Sequence, residues 1–342
     1  MAQANHSNHP NHHHAVDIHA HYFPQTFLDL IAANAGTYGF EHRMVEGKGP
    51  QFKIGHLATG PVGRKFIDLD TRLAAMDGQG VEVHLLSLSQ PMVYWARRDL
   101  AQCLTESYND GLAAAHERNP KRLYGLATLP MHEPDLAVRE VGRASRLAGV
   151  RGFYMATHVL ERELSDPAFF PVYERIESLG LPIFLHPVEV IGYQRLAAHY
   201  LTNLLGNPFE SAIAAAHLIF GGVLDRFPKL TFCLPHAGGA FPWLVGRLHR
   251  GWEKREELRH LKLEGPVTYL RRFYYDTVGY SDDVLEYLTR VIGADRVLMG
   301  SDYCFPIAYE QPVQIVTGHP QLDEETKHRI VEANARRLLK LS

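Results

Sequence analysis

Eight short apolar runs, separated by longer amphipathic segments, set the strongest constraint on how this 342-residue chain can fold. The runs are Ala15–Ala20, Val83–Leu88, Leu123–Leu129, Val150–Ala156, Pro182–His186, Leu230–Leu234, Phe273–Thr277 and Val297–Gly300. Apolar runs this short, alternating with segments of helical period, are the pattern of βα units around a parallel sheet. Leu100–Arg118 carries Leu104, Tyr108, Leu112 and Ala115 close to the helical period. Ala137–Ala148, Pro171–Leu179, Pro208–Phe220 and Asp283–Ile292 are further expected helices. The terminal segment Asp323–Leu341 opens on acidic residues and closes on basic ones, as a helix dipole favours. The alternation predicts an α/β fold, a (β/α)8 TIM barrel, and its length suits a single domain over residues 15–342.

Two segments stand outside the repeat. Residues 1–14 are rich in Asn and His with almost nothing apolar to bury, which predicts a disordered tail. Gln25–Thr71 is rich in Gly and polar residues and reads as an insertion after the first strand. Insertions at the mouth of a barrel commonly shape substrate choice.

Composition narrows the functional classes. The formal net charge is −3, so no basic field invites nucleic acid or anionic lipid. No run approaches the ~20 apolar residues of a membrane span, and no apolar secretory signal opens the chain. Cys103, Cys233 and Cys304 fit neither a disulfide framework nor a zinc knuckle, which points to a reducing compartment. A cytoplasmic protein is expected.

The chemistry sits at the ends of the apolar runs. His19 and His21 form His-x-His in VDIHAHYFP, and residues two apart on a strand share a face. His186 ends the fifth run, His236 follows the sixth and Asp302 follows the eighth. Those are C-terminal strand ends, where barrel active sites are built. Each residue alone has an ordinary reading: a strand-end His satisfied by backbone, or an Asp capping a helix. The coincidence in one order along the chain is what carries weight. Three imidazoles and one carboxylate suit zinc, and also manganese, iron or cobalt.

At these motifs the sequence resembles the decarboxylase branch of the amidohydrolase superfamily, most of all the 2-amino-3-carboxymuconate-6-semialdehyde decarboxylase family. VDIHAH, FLHP, GGVLDRFPKLTFCLPHAGGAFPWLVGR and GSDYCFP carry the resemblance, which extends from Val16 over most of the chain. It implies one divalent metal ion, expected to be Zn2+ with Mn2+ as the other choice, held by His19, His21, His186 and Asp302. It implies His236 as a catalytic acid/base, with Asp302 acting in both roles. Arg247 is expected to bind a carboxylate, reaching across a homodimer interface. Lys53 stands where the family has an arginine, keeping the charge without the two-pronged fork. Trp95 and His158 complete the expected substrate-binding set, and Phe23, Phe241 and Phe305 could stack on a flat substrate. The family's HPW reads HPV here, with Val188 in place of an indole, and Cys304 replaces the usual proline. Both changes point to a different carboxylated substrate.

The implied activity is non-oxidative decarboxylation of an unsaturated or aromatic acid, such as a ring-cleavage product or a hydroxybenzoate. The alternative is a hydrolase using the same metal-activated water. The fourth run, RGFYMATH, has no lysine to bridge two metals, so one ion is expected.

Overall fold

The structure, a computed structural model, describes residues 14–54, 57–262 and 265–341. The predicted tail falls outside the described residues except for His14, which is exposed and meets Glu82 at 2.9 Å. The chain builds one sheet of eight parallel strands: β1 Ala15–His21, β2 Val81–Ser87, β3 Leu123–Thr128, β4 Val150–Ala156, β5 Ile183–His186, β6 Phe232–Leu234, β7 Phe273–Asp276 and β8 Val297–Leu298. Neighbours in sequence are neighbours in the sheet. The last strand reaches the first through Ile18 N–H donating to Met299 O at 3.0 Å and an Ala20–Tyr303 bridge. The result is the expected (β/α)8 barrel.

Every residue of β1 is buried, because a barrel strand faces side-chain layers inside and helices outside. Helices flank the strands, the longest being Arg98–Arg118, which buries Leu104, Tyr108, Leu112 and Ala115. Gly125 on β3 lets it approach, since a Cβ there would lie 2.9 Å from Leu112. None of the helices among the described residues is long and apolar enough to cross a membrane.

Between β1 and β2 the chain forms the helix Gln25–Asn34, then an antiparallel sheet of Glu41–Val45, Gly49–Ile54 and Leu57–Ala58. The helix Leu69–Gln79 follows, its start capped by the Asp68 carboxylate accepting from Thr71 N–H. At the far end the predicted helix runs continuously but changes pitch. Glu324–His328 and Asn334–Leu339 flank a π-turn at Arg329–Ala333. The cause is tertiary: Ile330 O accepts from Met299 N–H, and Asn334 Nδ2 donates to Ala294 O and Val297 O. The helix widens where it is stitched to β8.

Candidate active site

The C-terminal ends of the strands bring His19, His21, His186 and Asp302 together, with one potential ligand atom from each within 4.8 Å of all the others. All four are buried. The His19, His21 and His186 rings lie 4.9–5.4 Å apart between centroids, and His236 sits 5.3 Å from His19 and 5.5 Å from His186.

Each of the three histidines has its Nδ1 engaged by the protein. His19 Nδ1 donates to Asp276 Oδ2 at 2.7 Å, and His186 Nδ1 donates to Pro187 O at 2.7 Å. His21 Nδ1 lies 3.3 Å from both Leu88 O and Ser87 Oγ. A carboxylate or carbonyl can only accept, so each ring gives its Nδ1 hydrogen to the protein and turns Nε2 toward the site. The Nε2 atoms of His21 and His19 stand 3.2 and 3.4 Å from Asp302 Oδ1. His19 Nε2 is buried without a hydrogen-bond partner. Ligand atoms converging in this way mark a position suited to a cation, so the four side chains could hold a metal ion.

The charges follow. Burial disfavours a charged His21 and pushes it down to about 4, and it drives His186 well below its ordinary value. Burial also lowers His236, against the pull of Asp302 and Asp276, so a neutral imidazole faces the site. His19 is the exception: burial opposes its charge, but Asp276, Asp302 and Asp17 outweigh burial and raise it to about 9. For Asp302, burial opposes ionisation while the charge of His19 overrides it, holding the carboxyl below its ordinary range.

A supporting layer was not legible as such in the sequence. Asp276, at the end of β7, also accepts from Ala237 N–H at 2.7 Å and so fixes the turn after His236. Asp17, within β1, accepts from His19 N–H at 3.0 Å and Ser301 N–H at 3.1 Å, and burial raises it to about 6. Arg72 is fully buried and donates to the carbonyls of His21 and Lys65. The one signal available for Asp276 was an acid ending an apolar strand, in FYYDT. His236 and Asp302 both adopt left-handed backbone, at φ 55° and 65°. Non-glycine residues rarely hold that conformation, and they do so most often at functional sites. Gly300 lets the strands close around them, since a Cβ there would lie 2.9 Å from His19 Cβ.

A cavity of about 530 Å³ opens above these residues, lined by His186, His236, Asp302, Phe305 and Val188 among others. The remaining expected substrate residues lie away from that lining. Lys53 is exposed and paired with Glu41 at 2.9 Å. Trp95 packs on Phe40 at 4.2 Å and donates to Met92 O. The ring nitrogens of His158 face the carbonyls of Leu160 and Glu189. Arg247 is exposed on the helix Phe241–Lys254. Phe241 is core, packed on Phe273. Burial pushes the Cys304 thiol up to about 12, and it lines the side of the pocket in its thiol form.

Residues 16–341 match the amidohydrolase family. The chain belongs to that family. Among its amidohydrolase relatives is the 2-amino-3-carboxymuconate-6-semialdehyde decarboxylase of Dictyostelium discoideum, 30% identical over 95% of this chain and 91% of the relative. The gamma-resorcylate decarboxylase of Rhizobium radiobacter is 29% identical over 80% of this chain and 87% of its own. The solved structure of 5-carboxyvanillate decarboxylase from Sphingomonas paucimobilis superposes with a TM-score of 0.84, at 27% identity, over 96% of this chain and 100% of its own.

Proposed function

We propose that the protein is a metal-dependent, non-oxidative decarboxylase of an unsaturated or aromatic carboxylic acid, serving the breakdown of aromatic compounds in the cytoplasm. The observation that carries this is the convergence of three Nδ1-anchored imidazoles on Asp302 with neutral His236 beside them. The relatives compared are decarboxylases by name, which favours carboxy-lyase over hydrolase chemistry.

His19, His21, His186 and Asp302 would hold one divalent cation. Zinc suits three nitrogens and one oxygen. A 5-carboxyvanillate decarboxylase of Novosphingobium aromaticivorans, 22% identical, was solved with bound manganese, which makes that ion the other candidate. A cation there supplies Lewis acidity, drawing electron density from an oxygen and lowering the pKa of water.

The side chains divide the remaining work. Decarboxylation exchanges a C–CO2 bond for a C–H bond, so one proton must reach the carbon as CO2 leaves. His236, neutral and half-buried at the cavity wall, is placed to take up a proton and deliver it there. Asp302 helps fix the charge that His236 faces. Arg247, exposed and outside the cavity of its own chain, would grip a carboxylate in the neighbouring subunit of a homodimer. Lys53 would have to leave Glu41 to contribute, and Trp95 and His158 would act at the outer edge of the pocket.

The test is to incubate metal-loaded and metal-stripped protein with carboxylated ring-cleavage products and hydroxybenzoates, following CO2. Metal-dependent CO2 release is expected. Substrate loss without CO2 would overturn the decarboxylase reading in favour of hydrolysis.

A further inference from the structure

A second chamber adjoins the cavity at the metal set. It measures about 340 Å³ and shares Gly60, Ser89, Gln90, Phe305 and Pro306 with the central cavity, so the two lie side by side along a common wall. Neither His236 nor any of the four clustered side chains lines it. Its position is therefore at the end of a bound substrate remote from the reacting carbon.

The chamber is apolar and firmly built. Phe305 forms the partition, its ring 5.0 Å from His21 on one side and 5.4 Å from Phe66 on the other. Phe23 continues the wall, 5.7 Å from Phe66, and its N–H donates to Phe66 O at 2.9 Å. That bond ties the wall directly to the end of β1. Val62, 3% exposed, is held by its N–H donating to Pro50 O at 2.7 Å. At the rim stand two cations. Arg64 is mostly exposed, with Asp68 no nearer than 3.7 Å, and Lys65 has no ion-pair partner among the described residues.

Size decides what this space is for. An apolar protein cavity of about 150 Å³ suffices to bind benzene. A hydroxybenzoate is a single ring, which the central cavity accommodates with room to spare, and it would leave the side chamber unfilled. Apolar walls of this extent favour a ligand that buries carbon against them.

We propose that the substrate is an aromatic or unsaturated acid bearing an apolar arm, at least the size of a benzene ring, which occupies this side chamber. The rim cations restrict the arm to neutral or anionic groups and disfavour an amine. This rests on the decarboxylase reading for the identity of the reacting end, while the chamber itself is defined by its own walls.

The experiment is calorimetric binding of salicylate and of its 4-phenyl and 5-phenyl derivatives to the full-length, metal-loaded protein, with CO2 followed in parallel. At least one phenyl derivative is expected to bind about tenfold tighter than salicylate or better. Val62→Phe, which fills the chamber, should erase that preference and leave salicylate affinity unchanged. Lys65→Trp, at the exposed rim, should reduce it without burdening the fold, and serves if Val62→Phe does not fold. Equal or weaker binding of both phenyl acids, or a preference untouched by either variant, overturns the proposal. Tighter phenyl binding without CO2 would uphold the chamber while the decarboxylase reading fails. CO2 release with no phenyl preference would do the reverse.

Discussion

His19 donates its Nδ1 hydrogen to Asp276 across 2.7 Å, joining the end of β1 to the end of β7. An imidazole held this way presents Nε2 in one orientation and with raised basicity, as carboxylate–histidine pairs do at metal sites. Asp276→Asn keeps the shape and removes the charge. Metal affinity is expected to fall by about 10–100-fold with the fold intact, as read by competition against a chromophoric chelator. Unchanged affinity would show that the carboxylate does not tune the ring.

Protons and metal compete for that same ring. His19 is raised to about 9, so below that pH the metal-free protein carries a proton on Nε2, because Nδ1–H is already committed to Asp276. A cation can bind Nε2 only when that proton leaves. Metal affinity should therefore rise with pH up to about 9 and level off above it. Titrations in buffers of differing ionisation enthalpy should record the released proton near pH 7. Affinity that is flat between pH 6 and 8 would contradict the assignment.

Arg72 predicts a stability effect instead. Its guanidinium is fully buried, donates to His21 O and Lys65 O, faces His84 Nδ1 at 3.2 Å and lies 4.8 Å from the centre of the Tyr303 ring. Arg72→Met strands those acceptors and should cost about 2–4 kcal/mol in urea unfolding. Arg72→Lys should recover little of it, because lysine lacks the planar fork.

Two further variants separate binding from chemistry. His186→Ala should lower metal content measured by mass spectrometry. His236→Ala should retain the metal and lose turnover by about 100-fold or more, the scale of a general acid/base. Full turnover in metal-loaded His236→Ala would remove that residue from the reaction.

Much of this was legible in the chain because it obeys short periods. His19 and His21 are two apart on a strand, and His186 and Asp302 end apolar runs, so local pattern alone placed them at one mouth. Asp276 and Arg72 were not legible, since an acid after a strand and an arginine in an amphipathic helix look like ordinary surface charges. Only the closed barrel buries them. Lys53 and Trp95 belong to segments with no strong period, and tertiary packing decides their positions. Lys53 pairs across its small sheet with Glu41, and Trp95 turns onto Phe40.

The buried layer around the site also has a consequence for selectivity. Three carboxylates, from Asp17, Asp276 and Asp302, are buried at the site, and a buried guanidinium, that of Arg72, holds the His21 carbonyl beside them. A doubly charged ion brings this interior to neutrality, and a singly or triply charged one leaves it out of balance. On charge alone such a layer would favour a divalent ion, and charge alone does not choose between elements.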